Sequence, residues 1–139
     1  MSLNKDLLIV DGYNILNRWG MVSGRINLEA ARVDLSEILA DYAGYKGIDS
    51  IVVFDAHKAK NFGSESELGN LKIVYTKRSE TADTKIEGII KEKVSEYRNV
   101  YVATADYTLQ LFILGEGALR VTPNELKLMV ERERGRSIV

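Results

Sequence analysis

Four aspartates stand where short apolar runs end. Asp11 follows Leu7-Leu8-Ile9-Val10, Asp55 follows Ile51-Val52-Val53-Phe54, Asp83 comes a short loop after Ile73-Val74-Tyr75-Thr76, and Asp106 comes just after Val100-Tyr101-Val102-Ala103. Open parallel sheets take their ligands at the carboxyl ends of their strands, so acids recurring there point to one shared pocket. Two carboxylates about 4 Å apart repel by on the order of 4 kcal/mol at an effective dielectric near 20. Such a pocket therefore needs protons or a cation. Aspartate oxygens, helped by the amide oxygen of Asn14 or the hydroxyls of Thr81 and Thr104, suit Mg²⁺ or Mn²⁺ better than zinc or copper. A divalent ion held this way matches phosphodiester cleavage, where it acidifies a water and stabilises charge on the attacking and leaving oxygens.

Each aspartate taken alone has a simpler explanation. Asp83 and Asp106 precede predicted helices and read as N-caps; Asp11-Gly12 is a frequent turn dipeptide, and Asp55 stands where the chain leaves a strand. Capping and turn chemistry do not account for all four acids recurring at strand exits. Other chemistries are poorly supplied. Cysteine is absent, which removes thiol nucleophiles and zinc–thiolate sites, and His57 is the single histidine, read as a solvated loop residue. No Gly-x-Ser-x-Gly elbow or Gly-x-x-x-x-Gly-Lys-Ser/Thr loop occurs, and Gly115-Glu116-Gly117 precedes a strand and lacks a third glycine. Lys58, Lys60, Lys77, Arg78 and Lys85 fall near the acidic rim and are the candidates for holding a phosphate backbone, although charged loops are most often merely solvated.

The elements that must position these residues alternate strand with helix, which indicates an α/β domain with a mostly parallel sheet. The chain has 139 residues, 45% of them apolar, enough for one domain over residues 1–139. Its formal net charge of -1 gives no strong field towards a polyanion, so contact with nucleic acid must be a local patch. No segment has the length of a membrane span, and a cytoplasmic setting is the default expectation. The spacing of Leu28, Ala31, Leu35, Ile38, Leu39 and Tyr42 predicts a helix after Asn27 that stops near Gly44 to Gly47. Ile86, Ile89, Ile90, Val94 and Tyr97 predict a second after Asp83, with Lys85, Glu87, Lys91, Glu92 and Glu96 on its solvated side. A shorter helix follows Asp106, and Thr122-Pro123-Asn124-Glu125 forms a capping box opening a last one that runs to Glu131–Arg134. Ala56 to Asn70 reads as a mobile loop over the rim, a candidate substrate flap. Asn17 to Arg25 reads as a glycine-containing connection, and residues 1–3 carry no structural weight.

Ile9-Val10-Asp11-Gly12-Tyr13-Asn14-Ile15-Leu16 resembles the opening motif of NYN domains, nuclease relatives of the PIN fold. Val53-Phe54-Asp55-Ala56, Glu80-Thr81-Ala82-Asp83-Thr84-Lys85-Ile86-Glu87 and Val102-Ala103-Thr104-Ala105-Asp106 follow in the family's order, and the whole most resembles the YacP-like branch. The resemblance implies a three-layer PIN-like fold with about five mostly parallel strands and helices on both faces. It also implies a metal-dependent endoribonuclease acting on single-stranded RNA through Mg²⁺ or Mn²⁺. Carried over motif by motif, Asp11, Asp83 and Asp106 are metal ligands and Asp55 a further acid of the pocket. Asn14 orients Asp11 or binds a metal-bound water, with Thr81 and Thr104 in supporting positions. The branch is associated with mRNA turnover and with ribosomes, and the slightly acidic net charge here fits delivery of substrate by a larger partner. Two other readings stay open: a phosphoacceptor receiver domain, although Asp11 is followed by Gly12 where that family carries an acid pair, and a non-catalytic RNA- or ribosome-binding module.

Overall fold

The computed structural model describes residues 2–22 and 27–135, the side chains of residues 2, 3 and 58 excepted. Six strands, β1 (Ser2–Asp11), β2 (Asp49–Phe54), β3 (Glu65–Leu68), β4 (Leu71–Tyr75), β5 (Tyr97–Ala103) and β6 (Leu119–Val121), form one sheet in the order β3-β4-β2-β1-β5-β6. Five helices accompany it: α1 (Gly12–Arg18), α2 (Leu28–Lys46), α3 (Ala82–Lys93), α4 (Tyr107–Gly115) and α5 (Pro123–Arg134). Every neighbouring pair is parallel except β3 and β4, which make an antiparallel hairpin.

Successive side chains of a strand point to opposite faces, so β1 feeds two cores. Leu8 and Val10 pack with Ile15, Leu16, Leu35, Leu39, Leu126 and Val130, on the side of α1, α2 and α5. Leu7 and Ile9 pack with Ile86, Ile90, Leu109 and Ile113, on the side of α3 and α4. Burial on both faces explains why β1 and β2 read as unbroken apolar runs. The result is the expected three-layer, mostly parallel α/β architecture.

Several local readings are corrected. The extra strand is β3, which lies inside the segment expected to be an open loop. That segment also holds a 3-10 turn at Ala56–Lys58 and is pinned to β4 by Gly63 N donating to Thr76 O at 2.9 Å and Tyr75 N to Ser64 O at 2.9 Å. It is a structured flap. Its strand escaped notice because all four residues of β3 are exposed and carry no apolar alternation. The helix α1 has no counterpart in the sequence pattern, since it follows a strand directly and opens on glycine. Tyr97 is not on the α3 stripe: α3 ends with Val94 at its C-cap, and Tyr97 begins β5, its hydroxyl donating to Asp49 Oδ2 at 2.7 Å. β1 reaches back to Ser2, so the first residues do carry structure.

Helix boundaries otherwise follow local chemistry. Asn27 caps α2 and Gly47 ends it in the left-handed region (φ 65°), while Thr122 and Glu125 form a reciprocal capping box on α5. With the antiparallel β3 set aside, the parallel strands in chain order lie 3-2-1-4-5 across the sheet. A receiver domain has the order 2-1-3-4-5, so that alternative is overturned. The order reverses between β1 and β5, where the connections diverge to opposite faces and leave a crevice at the strand ends.

Candidate active site

Asp11 is the last residue of β1, and Asp106 is carried just beyond β5, so the two acids flank this crevice. Thr104, fully buried between them, donates its hydroxyl to Asp11 Oδ2 at 3.0 Å and accepts from the Asp106 backbone N–H at 2.9 Å. Asn14, in the first turns of α1, accepts the Ala105 N–H on its side-chain oxygen at 2.8 Å, tying α1 to the same loop. That oxygen is thus committed to the backbone, and Asn14 serves as a brace between the segments bearing Asp11 and Asp106. Asp106 also caps α4, accepting from Thr108 N at 2.9 Å and Thr108 Oγ1 at 2.7 Å.

Asp83 does not cap its helix. Thr81 is the cap of α3, accepting from Thr84 N at 3.1 Å, and Asp83 sits inside the first turn with its carboxyl directed to Asp106. A hydrogen bond between the carboxyls of Asp83 and Asp106 requires a shared proton. Burial, then the bond to Asp106, then the charges of Asp106, Asp11 and Glu87 push the Asp83 carboxyl up to about 7. Asp106, which accepts from Asp83 and Thr108, is held below the usual range. Asp11 is 7% exposed; burial foremost, with the charge of Asp106, raises it to about 6 against the opposing effects of Thr104 and the Asn14 amide. Three acids from β1, α3 and the β5–α4 loop thus act on one another electrostatically. Among the described residues, no three acidic or histidine side chains are gathered closely enough to hold a metal ion as they stand.

The remaining sequence candidates are distributed along the rim. Asp55 caps the 3-10 turn, accepting from His57 N at 2.9 Å, and its Oδ1 lies 2.8 Å from His57 Nδ1. Its charge acts on Tyr13, on the β2 side of the crevice. Lys60 and Lys77 are exposed on the flap and on the β4–α3 loop, and Arg78 lies over the Phe62 ring, 4.3 Å from its centroid. Lys85, two residues and so about 200° around α3 from Asp83, lines a separate cleft with Glu80, Thr84 and Glu92. The Lys58 side chain lies outside the described residues.

The model of the YacP-like NYN domain matches residues 8–138. The chain belongs to the YacP-like NYN domain family. Across 128 residues it is 38% identical to the uncharacterized protein YacP of Bacillus subtilis (strain 168), covering 91% of this chain and 75% of that protein. Crystal structures of Rae1 (YacP) from Bacillus subtilis superpose with a TM-score of 0.81 at 38% identity, covering 94% of this chain and 76% of that one. A point mutant of the same protein superposes with a TM-score of 0.80 at 37% identity, covering 94% and 77%. Membership of the NYN family makes this a nuclease-like, RNA-related domain.

Two contributors within this NYN domain were not read from the sequence. Glu87, assigned to a solvated face, bears on Asp83 one turn earlier; the i, i+4 spacing was the available signal. Phe62 lay in a segment read as loop, where nothing marked it as more than an isolated aromatic.

Proposed function

We propose that residues 1–139 form one metal-dependent endoribonuclease domain that cleaves single-stranded RNA. The observation that supports this reading is the placing of Asp83 and Asp106 beside the buried Asp11 at the strand-order reversal, where burial and the neighbouring carboxyls raise Asp83 and Asp11. Acids this close are stable either with a proton between them or with a cation in its place. Their all-oxygen character fits Mg²⁺ or Mn²⁺. Asp11, Asp83 and Asp106 would hold the ion. With Asp83 deprotonated, the three carboxylates would supply the oxygen ligands, although they are not gathered for a metal as they stand.

The chemistry such an ion would supply is a more acidic attacking water and stabilised charge on the phosphodiester oxygens. The chain's own residues set the stage for that. Thr104 fixes the orientation of Asp11 and the position of Asp106, Asn14 holds the β5–α4 loop against α1, and Glu87 adds negative charge behind Asp83. Direct hydrolysis leaves 5′-phosphate and 3′-hydroxyl ends, and 2′,3′-cyclic phosphate products would overturn it. The setting this reading implies is the cytoplasm, with mRNA as substrate and the ribosome as a partner able to deliver it to a domain of net charge -1.

The test is cleavage of mixed-sequence single-stranded RNA with Mn²⁺, Mg²⁺ or EDTA, beside Asp11→Asn and Asp83→Asn proteins of verified fold. Metal-dependent cutting that disappears in both variants is the expected result. RNA binding without cutting, on free RNA and on translating ribosomes alike, would leave a non-catalytic binding module.

A further inference from the structure

Phe62 is a half-buried aromatic that packs, among the described residues, into neither apolar core. Two polar side chains meet its ring. The Arg78 guanidinium lies over its ring at 4.3 Å, and the His57 ring meets it edge-on at 5.3 Å and 85°. His57 is in turn held by Asp55 Oδ1 at Nδ1, 2.8 Å away, which leaves Nε2 on the opposite side of the imidazole. The cluster is assembled from two segments, the flap and the β4–α3 loop. Both are anchored at the carboxyl ends of β2 and β4: Ala56 N donates to Thr76 Oγ1 at 3.0 Å, Gly63 N to Thr76 O at 2.9 Å, and Lys77 N to Glu80 Oε1 at 2.8 Å. Lys60 is held at φ 60°, a left-handed conformation costly for a lysine, by a turn closing on Ala56 O.

We infer that Phe62, Arg78 and His57 form a nucleobase-stacking subsite for single-stranded RNA beside the acidic centre. An aromatic ring outside the core contributes little to folding, and the exposed Arg78 guanidinium over that ring puts a planar cation at the surface. Unstacked bases are held on aromatic and guanidinium planes of this kind, with little dependence on base identity. His57 Nε2 and the cations Lys60 and Lys77 stand on the same two segments, where base edges, 2′-hydroxyls and phosphates would follow. Arg78 is five residues before Asp83, so the two backbones lie no more than roughly 18 Å apart. The base stacked here therefore belongs to a nucleotide within a few positions of the scissile phosphate. This subsite gives a domain without a strong overall field its local grip on RNA, and it rests on the reading of the domain as RNA-directed.

The experiment separates binding from cleavage. Binding of a short fluorescent single-stranded RNA is measured in EDTA, where no turnover occurs, for the unsubstituted protein and for Phe62→Leu, Arg78→Lys and His57→Gln, each with its fold checked by circular dichroism. The same titrations are run with an abasic strand of equal length. Arg78→Lys keeps the charge and loses the plane, so it should weaken binding about tenfold, as should Phe62→Leu. Both losses should vanish on the abasic strand, and the salt dependence of binding should not change. Equal binding by Arg78→Lys, equal losses on both strands, or no RNA binding by the unsubstituted protein would overturn the subsite. Absence of metal-dependent cleavage by the unsubstituted protein in the separate cleavage assay, with this binding pattern intact, would instead overturn the nuclease reading alone.

Discussion

Thr104 is the residue through which two of the three acids communicate. Its hydroxyl donates to Asp11 and accepts from the Asp106 amide in a fully buried position, so it satisfies two polar groups with no access to water. Thr104→Val keeps the shape and leaves both groups unpaired, which should cost about 1–3 kcal/mol of stability in urea unfolding. Losing the donor also removes one of the influences that favour ionised Asp11. Thr104→Ser retains both hydrogen bonds and should stay close to the unsubstituted protein; a loss as large as for valine would show that the methyl group matters more than the hydroxyl. Asp83 shows how far its role could be read in advance. Its position at a helix start was legible, but it equally suited a cap. That Thr81 takes the capping role and frees Asp83 for Asp106 is a matter of which residue the helix starts on, a boundary that pattern alone places only to within a few residues.

Among the elements, α1 is the one whose geometry the site depends on most directly, since it starts at Gly12 and carries Asn14. A Cβ at Gly12 would stand 2.4 Å from Phe54 Cδ1 and Cε1 and 2.9 Å from Val53 O, against β2. Glycine there permits close helix–strand approach, whereas the dipeptide Asp11-Gly12 suggested a turn. Gly→Ala inside a helix ordinarily stabilises by about 1 kcal/mol. Here overpacking should reverse the sign and cost about 1–3 kcal/mol or more. A higher melting temperature for Gly12→Ala would show that α1 and β2 are not in the close contact described. By shifting Asn14, the substitution should also lower cleavage beyond its effect on stability.

At the scale of the whole molecule, the raised carboxyls couple folding to pH and to cations. Asp11 at about 6 and Asp83 at about 7 bind protons more tightly when folded than at the ordinary value of 3.8. Between about pH 4 and pH 7 the folded chain therefore holds more protons than the unfolded one, and the stability from these two groups falls as pH rises through that window. Asp106 is shifted the other way, and its contribution is lost only as pH falls below the ordinary range. Without divalent ions, the melting temperature should drop from pH 5 to pH 8. Mn²⁺ or Mg²⁺ should restore it at pH 8 and do little at pH 5, where protons compete. Asp83→Asn, neutral at every pH, should raise the metal-free melting temperature at pH 8 by roughly 2–4 °C and abolish the response to cation. A flat metal-free profile would mean that Asp11 and Asp83 are not raised, and an undiminished cation response in that variant would mean that the three acids do not share one ion.

Much of this molecule was legible before folding because it depends on local periodicity. Short apolar runs marked β1, β2, β4 and β5, helical spacing marked α2 and α3, and Thr122-Pro123-Asn124-Glu125 marked the start of α5. Acids recurring at strand exits pointed to one rim, since parallel strands end on the same side of a sheet. Periodicity could not say which strands are neighbours, because register and order are settled by how two cores are packed against one sheet. Only the tertiary structure put the strand reversal between Asp11 and Asp106, brought Asp83 from α3 against Asp106, and drew Glu87 into their field. It alone seated Arg78 on Phe62, because that contact joins a flap and a loop sixteen residues apart in the chain. Residue types carry the chemistry, but distances between residues remote in sequence are fixed only when the chain closes on itself.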